Sequence, residues 1–186
     1  MRKYIGAFFI TLFMFLLQTT VLERVAIAGI IPNMMLIVTT LYGFMYGKKE
    51  GMFVGFLSGL LIDVLYNQVI GVSIILFCTI GYINGDARKL FFKEDFYVPV
   101  IVFGINDIIF NLMYYICYFL MRGRVGLFEY FFKIIIPEMS YTIIVGFFVY
   151  KLAILLDKKF RKRGKYPINI SVFEEDSKKD IKNNNI

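Results

Sequence analysis

Residues 51–66 read GMFVGFLSGLLIDVLY, an apolar run in which a glycine recurs at every fourth position. Residues four apart lie on nearly the same face of an α-helix. Gly51, Gly55 and Gly59 therefore form a groove, and Asp63 continues it by one turn. Because small residues let helix backbones approach closely in lipid, the pattern predicts a tightly packed membrane helix. The groove's neighbour is either another helix of the same chain or a partner's helix at a contact or moving joint.

Hydrophobic residues make up 59% of the 186-residue chain, whereas soluble domains average about 45–50%. A bilayer accounts for the excess, because each spanning helix needs about 20 apolar residues. We predict an all-α integral membrane protein, a bundle of about six transmembrane helices within residues 1–160. A basic, then mixed-charge cytoplasmic tail follows at 161–186 and is expected to be disordered. The predicted spans are 4–22, 30–47, 51–66, 69–85, 96–121 and 134–156.

The distribution of basic residues predicts the orientation. With both termini inside, 17 of the 21 lysines and arginines lie in cytoplasmic segments. Basic loops stay on the cytoplasmic side, so we expect a multi-pass protein of the cell membrane with both ends in the cytoplasm. The first run is expected to be a retained helix, since its apolar core is longer than the 7–15 residues typical of a signal peptide.

Carboxylates inside a membrane span are costly and face a bundle interior or a wet cavity. Asp63 is expected to anchor the turn at Asn67-Gln68 or to contact a partner. Asp107 and Asn111 are expected to lie one helical turn apart near mid-bilayer. They form either a polar clamp between helices or a proton or substrate site. Glu138, beside Pro137, is expected to stabilise a helix N-terminus, where unpaired N–H groups favour an acid.

A dense basic cluster follows the last predicted span. Its members are Lys158, Lys159, Arg161, Lys162 and Arg163. Each such charge gains about 1 kcal/mol near anionic lipid headgroups, so we expect this segment to bind the membrane surface. A docking site for a cytoplasmic partner is the alternative.

The sequence offers no support for catalysis or for a cofactor. It contains no histidine, and its two cysteines lie inside apolar runs without CxxC spacing, so neither a zinc site nor a disulfide framework is expected. Phosphate-loop, HExxH and GxSxG motifs are absent from the sequence. The basic residues sit mainly beside apolar runs, which favours membrane topology over nucleic-acid binding.

Several of these features resemble the MreD family of rod shape-determining membrane proteins. The resemblance rests on Leu17-Gln18 at the end of the first run, Pro32 at the start of the second, and the stretch from Gly51 to Val64 with its GFLSGLLID segment. Gly71, Gly81-Tyr82 and Gly85 follow in the expected order. Where the family commonly has Pro-Asp-Leu, this chain has Pro32-Asn33-Met34, so the acidic residue is replaced by its amide.

The resemblance implies a non-enzymatic membrane scaffold of the bacterial cell-elongation machinery, the elongasome, which supports lateral peptidoglycan synthesis, cell wall biogenesis and cell shape. It implies association with MreC and, through it, with MreB, RodA and a class B penicillin-binding transpeptidase. The family also looks like the substrate-binding subunits of energy-coupling-factor vitamin transporters in its six-helix arrangement. Such a subunit is the alternative function, with Asp63, Asp107 and Glu138 as candidates to line its pocket.

Overall fold

The computed structural model describes residues 2–26, 29–66, 70–87, 97–118 and 127–161. Every element in these ranges is helical, which confirms the predicted all-α fold for the described part of the chain. Contacts discussed below lie within one compact unit, Met1–Lys151. The elements are α1 (Arg2–Thr20), a 3₁₀ turn (Leu22–Val25), α2 (Met34–Tyr46), α3 (Lys48–Tyr66), α4 (Val72–Ala87), α5 (Tyr97–Tyr118), α6 (Leu127–Tyr130), a π-helical turn (Phe131–Ile135) and α7 (Ile136–Arg161).

A single glycine separates α2 from α3. Gly47 has a φ of 102°, a left-handed conformation that favours glycine, and its N–H donates to the Gly43 carbonyl at 2.9 Å. The next residue already begins α3. Residues 48–50, which the predicted spans 30–47 and 51–66 leave between two helices, instead form the first turn of α3, because Gly47 alone separates α2 from α3.

The last long helix starts earlier than predicted. Helix α6 runs through the π-helical turn into α7, so Pro137 and Glu138 lie inside a continuous helix that begins at Leu127. The prediction that Glu138 stabilises a helix N-terminus is wrong. A proline inside an α-helix clashes with the carbonyl four residues earlier. Just before it, the widened turn pairs the Ile136 N–H with the Phe131 carbonyl, five residues back.

Helix α4 occupies the glycine groove of α3. A Cβ atom added at Gly51 would overlap the Gly81 carbonyl, one at Gly55 would overlap the Phe77 carbonyl, and one at Gly59 would overlap Ile74. The contact is reciprocal, because a Cβ at Gly81 would meet the backbone of Gly51. The groove that the sequence predicts thus faces a helix of the same chain, and the two backbones touch along it.

The interior is unusually polar and the surface unusually apolar. Phe9 and Phe13 on α1 and Phe148 on α7 are 60–65% exposed. Buried polar side chains occur instead between the helices: Thr11, Gln18, Asn33, Thr39, Thr40, Ser58, Asp63, Ser73, Asn84, Asn106, Asp107, Asn111 and Thr142. Water would not favour this arrangement, whereas lipid solvates the apolar surface and leaves the polar groups to bond with one another.

Two helical stretches are long and apolar enough to cross a membrane on length and composition alone. They are Tyr4–Val25, with 22 residues, and Phe131–Leu156, with 26. Shorter apolar helices occupy Met34–Tyr46, Val72–Ala87 and Ile101–Cys117. The 13 residues of α2 rise only about 20 Å, against about 30 Å of bilayer hydrocarbon.

We predict that Gly55→Ala destabilises the protein by about 1–3 kcal/mol, because the added methyl group forces the α3 and α4 backbones apart. Thermal unfolding of the purified protein in lipid nanodiscs measures the loss. Gly6→Ala in α1 is the matched control, since a Cβ there meets no atom within 4 Å. Equal melting temperatures for the two variants would contradict the close contact.

Candidate functional site

Asp63 caps the N-terminus of α4. Its Oδ2 accepts hydrogen bonds from the Gly71 N–H at 2.7 Å and the Ile74 N–H at 3.3 Å, and its Oδ1 accepts one from the Ser73 N–H at 3.2 Å. The first N–H groups of a helix have no partner within it and carry partial positive charge. Asp63 is fully buried, so these bonds compensate for removing its charge from water.

From the sequence alone, Asp63 is expected to bond with the turn at Asn67-Gln68. In the structure its hydrogen-bond donors lie a few residues further along the chain. Asn67 and Gln68 lie outside the described residues. The bonded amides instead belong to Gly71 and the first turn of α4. Gly71 has a φ of 120°, a conformation that strains any residue with a side chain, and this bend aims its N–H at Asp63.

A second cap holds the N-terminus of α2. The Asn33 Oδ1 accepts from the Leu36 N–H at 3.0 Å, the usual N-cap bond. The Gln18 Oε1, on α1, accepts from the Met34 N–H at 3.0 Å and the Met35 N–H at 3.3 Å. Helix α1 is thereby tied to the most buried helix of the chain, in which Met34 to Leu41 are all buried.

A three-helix amide network lies next to the glycine contact. The Asn106 Nδ2, on α5, donates to the Thr40 Oγ1 at 3.2 Å and to the Asn84 Oδ1 at 3.1 Å, on α2 and α4 respectively. The Asn84 Nδ2 donates back to the Ile80 carbonyl at 2.7 Å. Sequence reasoning missed Thr40 and Asn84, since a single polar residue in an apolar run shows nothing about its distant partner.

Four residues form what we term the Asp107 cluster: Asp107, Asn111, Glu138 and Thr142. The Asn111 Nδ2 donates to the Asp107 carbonyl at 3.2 Å and to its Oδ2 at 3.4 Å. The Thr142 side chain also interacts with the Asp107 carboxyl group, and Asn111 interacts with Glu138. The sequence singled out Asp107, Asn111 and Glu138, and the structure brings them together with Thr142, which sequence reasoning missed.

The same cluster reaches α2. The Asn33 backbone N–H donates to the Thr142 Oγ1 at 3.1 Å, which joins the start of α2 to α7 across 109 positions of sequence. Two glycines allow the α5–α7 contact, because a Cβ at Gly104 would lie 3.1 Å from Ile143 and one at Gly146 would lie 2.9 Å from Phe103. The Asp107 cluster is therefore the junction of α2, α5 and α7.

The family model for the rod shape-determining protein MreD matches residues 2–160 of the chain. The chain belongs to the MreD family. No curated protein and no solved structure matches it, so the likeness to energy-coupling-factor subunits stays a prediction.

The resemblance described above predicts an aspartate at the position of Asn33 in this MreD-family chain. The side chain acts here through one oxygen that accepts from the Leu36 N–H, and an amide oxygen and a carboxylate oxygen both serve at an N-cap. The capping bond therefore needs no charge at this position.

The opposite end of the α3–α4 pair carries an ion pair. The Lys48 Nζ lies 2.6 Å from the Asp86 Oδ1 and 4.8 Å from the centre of the Tyr82 ring. The hydrogen bond to Asp86 raises the pKa of Lys48, so the ammonium group stays charged at neutral pH. Both side chains are exposed, and an exposed pair of this kind adds little stability.

The basic cluster lies partly in the last turns of α7 and partly outside the described residues. Lys158, Lys159 and Arg161 fall in the last turns of α7, but their side chains are not among the described ones. Lys162 and Arg163 lie outside the described residues. Binding of this segment to lipid headgroups stays a prediction.

We predict that Asp63→Ala lowers the free energy of unfolding by at least about 2 kcal/mol, because it leaves buried N–H groups of α4 without acceptors. Asp63→Asn keeps one acceptor oxygen and should lose less. Unfolding in nanodiscs, combined with hydrogen exchange of the Gly71 to Ile74 amides, measures both effects. Glu23→Ala, at an exposed carboxylate, is the control. Unchanged exchange in Asp63→Ala would exclude the cap.

A second prediction concerns Asn33. Asn33→Ala should cost about 1 kcal/mol through loss of the N-cap, whereas Asn33→Asp should be neutral or stabilising, since a carboxylate favours a helix N-terminus. Melting temperatures of the two variants in the same nanodiscs make the comparison. A loss in Asn33→Asp as large as that in Asn33→Ala would show that the amide nitrogen matters.

Proposed function

We propose that this MreD-family protein is a non-enzymatic membrane scaffold of the cell-elongation machinery. The family is one of rod shape-determining membrane proteins, and its model covers nearly the whole described chain. The scaffold role itself rests on one structural observation. Asp63, a fully buried carboxylate that could have served a reactive or ligand-binding site, accepts its hydrogen bonds from the start of the protein's own helix α4.

This use of polar groups leaves the outer surface as the part available to partners. In a bilayer, the exposed side chains of α1, α5 and α7 meet lipid or a partner's transmembrane helix. On the family resemblance, we propose MreC as the direct partner and MreB, RodA and a class B penicillin-binding transpeptidase as further members of the assembly. Through them the scaffold supports lateral peptidoglycan synthesis.

We propose a multi-pass topology with both termini in the cytoplasm. The distribution of lysines and arginines supports the orientation. The shortness of α2 is compatible with a spanning role, because Met34 to Leu41 are buried against other helices, so the length of this helix need not match the bilayer. Helix α3 carries its charges at Lys48, Lys49 and Glu50 and at the capping residue Asp63.

The transporter-subunit alternative predicts that the three carboxylates line one pocket. Both oxygens of Asp63 accept bonds from the start of α4, whereas Asp107 and Glu138 interact with Asn111. Asp63 is thus engaged in a separate group of bonds. No observation on the described residues favours the transporter reading over the scaffold.

The first test is affinity purification of the tagged full-length protein from its native membrane in mild detergent, with mass spectrometry of the proteins recovered. The scaffold proposal expects MreC or the elongation synthase among them. Recovery of paired ATPases and a coupling subunit without elongation proteins would overturn it in favour of transport.

A second test asks whether the fold supports cell shape. In cells depleted of the native protein, Gly55→Leu should fail to restore rod shape, since leucine cannot fit between α3 and α4. Gly6→Leu should restore it. Equal membrane levels of both variants, checked by immunoblot, are required for the comparison. Full rescue by Gly55→Leu would contradict the requirement for the close helix contact.

A further inference from the structure

One carboxylate oxygen of the Asp107 cluster is buried without a hydrogen-bond partner among the described residues. Asp107 is 0% exposed, and its Oδ1 has no hydrogen-bond partner among the described residues. Asn111 approaches the other oxygen, Oδ2, at 3.4 Å. A buried carboxylate normally has both oxygens paired, since an unpaired polar atom loses its hydration without compensation.

A second carboxyl group lies close enough to interact with the first. Glu138 interacts electrostatically with Asp107 and shares Asn111 with it. Asp107 is buried and Glu138 is half-buried. Two ionised carboxylates in a poorly hydrated site repel each other strongly, and such pairs avoid carrying two negative charges. The geometry thus combines an unpaired buried oxygen with a neighbouring group of like charge.

The described groups that act on the two carboxyl groups are polar or acidic. The titratable groups that act on the pair are Tyr130 of α6 and, around that phenol, Tyr114 and Tyr115 of α5. At the start of α2 the facing groups are the uncharged Asn33 and, on α7, Thr142. The groups that act most strongly on Asp107 are Asn111 and Thr142, and those that act on Glu138 are Asp107 and Asn111.

We propose that Asp107 and Glu138 together hold one proton, forming a proton-binding site at the junction of α2, α5 and α7. With the proton bound, the pair carries one negative charge instead of two, and the carboxyl O–H adds a hydrogen-bond donor to those of Asn111 and Thr142. A divalent cation fits less well, because hard metal ions take six or more oxygen ligands. Among the described residues, no group of three or more acidic, histidine or cysteine side chains is placed so that it could bind one metal ion.

The site connects proton binding to helix packing. Thr142 interacts with Asp107 and accepts the Asn33 N–H at the start of α2. Loss of the proton would leave two negative charges between α5 and α7, where Gly104 and Gly146 allow close packing. We therefore expect the α2–α5–α7 junction to be tight when the proton is bound and to loosen when it is lost.

Infrared spectroscopy of the full-length protein in nanodiscs tests the proposal directly. Wild-type protein at neutral pH should show the C=O band of a protonated carboxyl group, and this band should disappear as the pH is raised. It should be absent from the D107N/E138Q double variant and present in E23Q, which alters an exposed carboxylate. Absence of the band in wild-type protein at neutral pH, or its persistence in the double variant, would overturn the proposal.

Melting temperatures add a readout that distinguishes a proton from a sodium ion. The proposal expects the wild-type melting temperature to fall by several degrees from mildly acidic to mildly alkaline pH, because the folded state holds a proton that the unfolded state releases. The double variant should show a flatter dependence. Replacing potassium by sodium at constant pH and ionic strength should change nothing. Stabilisation by sodium in wild-type protein but not in the double variant would identify sodium as the occupant and overturn the proposal.

Discussion

The close approach of the α3 and α4 backbones is the constraint on which the rest of this structure depends. Because Gly51, Gly55 and Gly59 carry no side chain, α4 lies directly against them, and Gly81 returns the contact. Asp63 fixes one end of the pair through the first turn of α4. The paired helices then present Ser58 and Asn84 to α2 and α5, where hydrogen bonds to Thr39 and Asn106 set the positions of those helices.

The bundle is held by contacts that remain effective in lipid. Apolar side chains gain little by leaving lipid for one another, so close packing and buried hydrogen bonds have to supply the stability. The protein satisfies both needs at the same places. Its helix ends are capped by Asp63, Asn33 and Gln18, and its amide network links α2, α4 and α5. Because the polar groups bond within the bundle, the outer surface is the part that we propose to meet partners.

The features that depend on local residue spacing could be predicted from the sequence. Four-residue spacing identified the glycine face of α3 and placed Asp63 on it, and the length of the apolar runs indicated helices in a membrane. Spacing does not show which helix packs against a given face, so the packing of α4 on the glycine face of α3 could be seen only in the structure. The same holds for the bond between Asn84 and Asn106 and for Thr142, which meets Asn33 from 109 positions away. Pro137 misled the prediction, because proline usually marks a helix start and here follows a π-helical turn within a longer helix.

The exposed apolar side chains and the buried polar ones predict an exterior that faces lipid around an enclosed polar interior. Site-directed spin labelling in liposomes tests this prediction, with single labels at Phe9, Phe13 and Phe148, all strongly exposed. Each label should be accessible to molecular oxygen, which partitions into lipid, and inaccessible to a water-soluble nickel reagent. Strong accessibility to the nickel reagent at these positions would place them in water and contradict the account.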